Sequence, residues 1–344
     1  MKKLFFGILC TFLLFGLSNQ GQAQFNRKQI KKNNKRIASF RGRKAGFGKN
    51  KIYNSIDFSV SALNYYGDIA PQPKRVSTDI SFTKPALGLS FTHRFGPRYS
   101  LQAQFMYGTL KGSDNKSADL ADQDNGKFRY YRNLSFRNRI KELSMVAYFD
   151  LFENDATYIS RVKWTPYAYL GIAGFLHNPQ AQTSTGEWVD LRPLGTEGQH
   201  STLNPTDANY GIKPYSKLQA AIPFGVGARF RLNEVMDLSA DIGFRYTFTD
   251  YIDDVSKNYV DLGVLNSDLA RSMSYRGGEL PANERPAEEP YVARNGVSYN
   301  TIPGYGREYS DNVRGNKNDR DIYMVTTIRL SYILGATFHK AKFR

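Results

Sequence analysis

The 344-residue chain has one cysteine, four histidines and two tryptophans. Cys10 lies inside an N-terminal apolar run, so the chain beyond that run can form no disulfide framework and no thiolate metal site. His93, His177, His200 and His339 show no metal-binding spacing, and no Gly-x-Ser-x-Gly or phosphate-loop pattern is present. Beyond that run, no stretch approaches the ~18 continuous apolar residues of a transmembrane helix. The mean hydropathy of −0.51 suits a soluble protein at first sight. That average is uninformative for a membrane barrel, in which half of each strand and all of the loops are polar.

What is present begins with an export signal. Lys2 and Lys3 precede the apolar segment Leu4 to Leu17, which is short for a membrane span. Gly21-Gln22-Ala23 then supplies the small residues a signal peptidase accepts. Residues 1–23 are expected to be a signal peptide, and 24–51 a basic periplasmic arm. Residues 52–344 are expected to form the body of the protein. The arm from Phe25 to Lys51 carries eleven Lys or Arg and no acid. Removing the thirteen basic residues up to Lys51 from the formal net charge of +16 leaves +3 for the rest. Nucleic acid is excluded as a partner by location. The arm suits anionic lipid headgroups, an acidic periplasmic partner, or a solvated tail.

Strict two-residue alternation runs through the body and predicts β-strands. Leu218, Ala220, Ile222, Phe224, Val226, Ala228, Phe230 and Leu232 are apolar and alternate with small or polar residues. After Asn233-Glu234 the pattern returns from Leu238 to Phe248, which reads as a hairpin. Further strands are expected over Ile56 to Leu63, Leu87 to Phe91, Leu101 to Tyr107, Leu143 to Leu151, Tyr167 to Phe175 and Met324 to Leu334. The connections alternate between short and long. The long ones are Gly67 to Thr83, Gly108 to Arg137, His177 to Ser216 and Thr249 to Asp321. The expected fold is therefore an all-β, eight-stranded antiparallel transmembrane barrel with short periplasmic turns and long extracellular loops.

A lipocalin-like soluble barrel alternates too, with its apolar face inward. Two features favour the membrane. The polar face carries small residues beside single charges, as a cramped lumen would, and aromatics gather at strand ends: Tyr65, Tyr66, Phe95, Tyr99, Trp164, Tyr251 and Tyr332. An eight-stranded lumen is filled by side chains. Asp57, Gln102, Gln104, Gln219, Arg229, Asp241, Arg245 and Arg329 are expected to fill it as a paired plug. Pro223, inside a strand, forfeits a ladder hydrogen bond and is expected to mark a bulge.

Little of this points to chemistry. His177 alone is placed near the outer leaflet, where a lipid-modifying barrel enzyme would carry a histidine; an interfacial polar residue is the plainer reading. Asp250, Asp253 and Asp254 have the oxygen ligands a calcium ion needs, and equally suit a solvated loop. No catalytic residue, cofactor or metal is expected.

Three loop motifs occur in order: Asn64-Tyr65-Tyr66-Gly67-Asp68, Leu194-Gly195-Thr196-Glu197-Gly198-Gln199, and Thr249-Asp250-Tyr251-Ile252-Asp253-Asp254-Val255-Ser256. Together they resemble the PorG-type outer-membrane proteins of Bacteroidota, accessory barrels of the type IX secretion system. The resemblance spans about Ile52 to Leu334. It implies a non-enzymatic anchor in the outer membrane, in contact with its lipids and with a periplasmic ring made of a lipoprotein and its partner. The alternatives are a general small barrel for envelope stability or surface ligand binding, and a lipid-modifying enzyme.

Overall fold

A computed structural model describes residues 47, 51–69, 82–123, 125–317 and 320–335. The expected signal peptide, almost all of the basic arm, and His339 lie outside the described residues. Eight strands form the barrel wall: β1 (Tyr53–Tyr66), β2 (Lys84–Arg94), β3 (Tyr99–Ser113), β4 (Ser135–Asp150), β5 (Trp164–Leu176), β8 (Leu218–Arg231), β9 (Met236–Thr247) and β12 (Ile322–Leu334). Each pairs antiparallel with its neighbour, and β1 closes onto β12 with Asp57 opposite Ser331. Closure leaves the wall no free edge. Two short pairs, β6 (Pro179–Gln182) with β7 (Trp188–Asp190) and β10 (Glu289–Val292) with β11 (Ser298–Thr301), stand in the long loops. Among the described residues three short helices do likewise: α1 (Asp114–Ser117), α2 (Gly126–Arg132) and α3 (Asp268–Ser274).

The two faces of the wall are reversed relative to a soluble protein. Leu143 and Ile172 are 65% and 69% exposed on the outside, whereas Ser59 and Glu142 are fully buried inside. Ile56, Phe58 and Val60 project outward on β1, and Ser55, Asp57, Ser59 and Ser61 inward. A continuous apolar belt of this kind needs hydrocarbon around it, and closed strands leave no unpaired backbone within that hydrocarbon. The protein is an outer-membrane barrel with its long loops at the extracellular end. At the opposite end, exposed aromatics form a girdle: Phe95 stacks on Tyr99 at 6.3 Å and Phe152 meets Trp164 edge-on at 5.4 Å. Tyr65 and Tyr251 do not belong to a girdle, contrary to expectation. Tyr65 points inward on β1 and is buried, and Tyr251 stacks on Tyr215 within the loops.

Three further expectations are corrected. The segment Gly108 to Arg137 is not a loop throughout. β3 continues to Ser113 and β4 begins at Ser135, paired to the end. Outside the membrane the outward face becomes Thr109, Lys111, Arg137 and Arg139, so the apolar alternation stops while the strands go on. Pro223 marks no bulge. The ladder to β5 lapses between Leu170–Phe224 and Ala173–Ala221 and resumes in the same register, while Pro223 stays opposite Arg245 on β9. A missing N–H on the β5 side explains the lapse. Gln219 sits at the rim, not in the lumen, where its amide donates to the Ser216 carbonyl at 2.9 Å.

The lumen is a paired plug. Arg245 lies 3.2 Å from Glu142, whose second oxygen accepts from the Tyr323 hydroxyl at 2.6 Å. Arg329 faces Asp241 at 3.4 Å, and Tyr167 donates to the same carboxylate at 3.0 Å. Arg94 and Arg229 share Asp150 at 2.6 and 3.3 Å. Among the described residues no arginine pairs with Asp57; Ser55, Ser90, Thr92 and Gln102 donate to it instead. Val146, Tyr148, Tyr167 and Tyr169 form an apolar cluster beside these ions. A cavity of about 30 Å³ lies near Tyr53, Asp57, Arg94 and Arg229, and a smaller one of about 10 Å³ lies beside it toward Arg161, room for a few waters at most.

Candidate functional site

The described parts of the four long loops fold into a cap over the extracellular mouth, and the three sequence motifs meet inside it. The first motif ends β1. Asn64 donates to Thr83 at 2.7 Å, Tyr66 points its hydroxyl at the Met324 sulfur, and Tyr65 donates to Asp321. A Cβ at Gly67 would overlap both partners of the Tyr65–Asp321 bond, so only glycine fits there. Asp68 accepts from the Asn316 amide at 2.9 Å.

The second motif is a tight turn in the third loop. Gly195 and Gly198 have φ of +60° and +86°, where glycine is unstrained. The turn drives Thr196 and Glu197 into the cap, and both are fully buried. Thr196 donates to Asp254 at 2.5 Å. Glu197 Oε1 accepts from the Ser256 and Lys257 amides at 2.9 and 3.1 Å and from Arg314 at 3.0 Å.

The third motif is the keystone. Asp253 accepts from the Ile69 amide of the first loop at 3.0 Å. Asp254, in the left-handed region at φ 68°, accepts from Tyr215 of the third loop at 2.7 Å. Between the motif and the barrel, the Ile252 amide donates to Asp321 at 2.8 Å and its carbonyl accepts from Asn138 of β4 at 2.6 Å. The second loop joins through Arg132 of α2. Its guanidinium donates to the Asp68 and Arg314 carbonyls, each at 2.6 Å, and to Asp114 at 2.7 Å. Asn64, Tyr66, Gly67, Asp68, Gly195, Thr196, Glu197, Gly198, Asp250, Tyr251, Asp253 and Asp254 thus lie within one interlocked unit.

Its electrostatics are unusual. Asp68, Glu197, Asp250, Asp253, Asp254 and Asp321 belong to this unit; among the described residues Arg314 reaches the Glu197 and Asp254 carboxylates, and Arg132 reaches Asp68 at its main-chain carbonyl. Burial raises Asp250 to about 9, with repulsion from Asp68, Asp253 and Glu197 adding to it. Burial pushes Asp253 and Asp321 well above the ordinary carboxylate range, with repulsion from Asp68 adding to it at the first and from Asp253 and Asp250 at the second. Burial also raises Asp68 and Asp254 to about 6, with Arg132 opposing it at the first and Arg314 at the second. Near neutral pH part of the cluster therefore carries protons. Asp250, Asp253 and Asp254 turn to different partners. Among the described residues no three acidic, histidine or cysteine groups are placed to hold a metal ion.

His177 does not stand at the lipid surface. It is buried, stacked on Tyr215 at 5.7 Å and hydrogen-bonded to the Ser216 carbonyl at 3.0 Å. Burial lowers it to about 4, so it is neutral at physiological pH. Sequence reasoning missed Arg314, Arg132, Asp114 and Asp321, which supply the cations and two of the acids; none stands in a repeated or alternating pattern.

A family model described as a domain of unknown function (DUF6089) matches residues 47–190, from before β1 to the end of β7. No curated protein matches. Several solved outer-membrane barrels are similar in outline. The Pseudomonas aeruginosa protein OprG is 11% identical with a TM-score of 0.34, covering 85% of this chain and 100% of its own. The N-terminal barrel of OprF from the same organism is 8% identical with a TM-score of 0.31, covering 82% and 99%. A major outer-membrane protein of Thermus thermophilus is 14% identical with a TM-score of 0.33, covering 82% and 99%. At such distances, the assignment of fold and membrane rests on the closed strands and reversed faces of this chain itself.

Proposed function

We propose that the barrel is a non-catalytic anchor in the outer membrane, an accessory component of the type IX secretion system that contacts its periplasmic ring lipoprotein and that lipoprotein's partner. The plugged lumen carries this reading. Ion pairs fill the interior and loops cover the mouth, so the protein is suited to holding a position and poorly suited to passing a solute. The ordered motifs that resemble PorG-type barrels support this choice of partner. The periplasmic end offers a firm surface for it. Arg161 pairs with Asp237 at 2.6 Å and donates to the Asn233, Glu234 and Met236 carbonyls, tying the turn before β5 to the turn before β9. Lys51, the last residue of the basic arm, pairs with Asp155 on that surface at 2.8 Å.

Deletion of the gene tests the proposal: type IX cargo should fail to reach the medium while uptake of small solutes stays normal. Photo-crosslinkers at Glu153, Asp155, Asn233 or Glu234 should capture ring components. Normal cargo export would remove the secretion role. A second reading, a barrel that binds a surface ligand, is favoured by the size and order of the cap; crosslinks confined to the outer loops would support it.

A further inference from the structure

The outward wall of the barrel changes character where β3 and β4 leave the membrane. On β4 the lipid-facing series Phe149, Ala147, Met145, Leu143 continues upward as Lys141, Arg139, Arg137. On β3, Leu101, Phe105 and Tyr107 give way to Thr109 and Lys111. The register sets Lys111 directly opposite Arg137 and places Lys141 opposite Tyr107. Like charges facing each other across a sheet are destabilising unless something lies between them. Lys84, at the start of β2, and Lys116 of α1 also lie close enough to repel Lys111. Among the described residues, none of Lys84, Lys111, Lys116, Arg137, Arg139 and Lys141 pairs with a carboxylate. Elsewhere in the barrel arginines are closely matched, as Arg94, Arg229 and Arg245 are. Arg137 is held by neutral partners: it lies 3.6 Å from the centre of the Trp188 ring and donates to Gln180 at 2.8 Å. The nearest acid on that row, Asp190, accepts from Gln180 at 2.7 Å.

Position identifies the partner. Outward residues on one strand are ~6.6 Å apart, so Lys141 and Arg139 stand one and two steps above the exposed apolar Leu143. That is the height of lipid headgroups above the hydrocarbon. The cations are continuous with the belt of Leu87, Phe105 and Leu143, and they face sideways toward lipid. A soluble polyanion would be expected on the top of the cap. We propose that this wall binds a phosphate-bearing lipid of the outer leaflet, with acyl chains on Leu87, Phe105 and Leu143 and phosphates among Lys111, Arg137, Arg139 and Lys141.

The full-length folded protein in detergent can be titrated with bis-phosphorylated lipid A and with the same lipid after phosphatase treatment. A basic residue near an anionic headgroup is worth enough that three or four should favour the phosphorylated lipid by about 10-fold or more. Lys111→Gln, Arg139→Gln and Lys141→Gln together should abolish that preference, with heat-modifiable migration confirming an intact barrel. Equal binding of the two lipids by the unaltered protein overturns the proposal whatever the variant does. So does a folded variant that keeps the preference. Displacement of the lipid by a sulfated polysaccharide or inorganic phosphate at equal charge would assign the patch to a soluble anion instead, and also overturns it.

Discussion

Arg314 and Glu197 lie 117 positions apart and meet at 3.0 Å with almost no exposure of either side chain. The same guanidinium donates to the Asp254 carbonyl at 2.6 Å. One arginine thus fastens the second and third sequence motifs together.

Replacing it should open the cap and spare the barrel. Arg314→Met leaves Glu197 and Asp254 buried with their main counter-charge gone. Removing one member of a buried pair costs about 3–5 kcal/mol. The barrel strands do not depend on this pair. Limited trypsin digestion should therefore cut the variant in the loops, near Lys257 or Arg276, while a strand core still migrates as a heat-modifiable band. A digestion pattern identical to that of the unaltered protein would show that the cap closes without this pair.

The cap should tighten in acid and loosen toward alkaline pH. A carboxyl that binds its proton more readily folded than unfolded stabilises the fold fully below its unfolded value, near ~4, and loses that contribution as pH rises through its folded value. Asp68 and Asp254 complete their loss as pH rises through about 6, and Asp250 as it rises through about 9. Asp250→Asn removes an ionisation without removing bulk. At pH 9 it should stabilise the cap by ~1–3 kcal/mol, since each pKa unit corresponds to ~1.4 kcal/mol before relaxation and water entry reduce it. Amide-exchange protection of Ser256 and Lys257, corrected for intrinsic rates, reads this directly. If the variant loses protection between pH 6 and pH 9 as steeply as the parent, Asp250 is not the group responsible.

The lumen pair of Glu142 and Arg245 makes a third test. Glu142→Leu alone strands Arg245 and the Tyr323 hydroxyl, and should lower unfolding stability by about 3–5 kcal/mol. Adding Arg245→Met should recover most of that loss, because an apolar pair of similar volume needs no solvation. Urea unfolding midpoints in detergent measure both. A double variant no more stable than the single one would mean that the surrounding network, and not this pair, holds the site.

The barrel was legible because a wall between lipid and a filled lumen imposes period-2 alternation on every strand. The same reasoning failed wherever the environment changed. β3 and β4 beyond Tyr107 and Leu143 still alternate, but between Lys or Arg and the cap interior, so the apolar signal disappears. Glu142 was hidden in that stretch, although it is the carboxylate Arg245 needs. Tyr148, Tyr167 and Tyr169 face inward while resembling lipid-facing residues, because an aromatic carrying a hydroxyl suits either side. The order of the three loop motifs was readable. Their convergence depends on Arg132, Asp321 and Arg314, single residues on loop segments with no periodicity, and contacts that distant in sequence leave no local mark.

Topology gives the last test, because the loop lengths and the basic wall both depend on which end faces out. The turn joining β10 to β11 is open. Gly296 has φ of +77° with nothing near its Cβ position, and Asn295 and Val297 beside it are exposed. An epitope inserted between Asn295 and Gly296 should leave the fold intact, since no buried group is displaced. It should be reached by antibody on intact cells. The same epitope at Asn233, in the short turn before β9, should be reached only after the outer membrane is permeabilised. Asn233 caps that turn through the Val235 and Met236 amides, so the insertion is best made as a duplication that keeps one copy of the asparagine. Heat-modifiable migration of both insertions establishes that each barrel has closed before accessibility is scored. Surface labelling at Asn233 and none at Gly296 would invert the barrel, move the sealed cap to the periplasm, and place Lys141 and Arg139 among the headgroups of the inner leaflet.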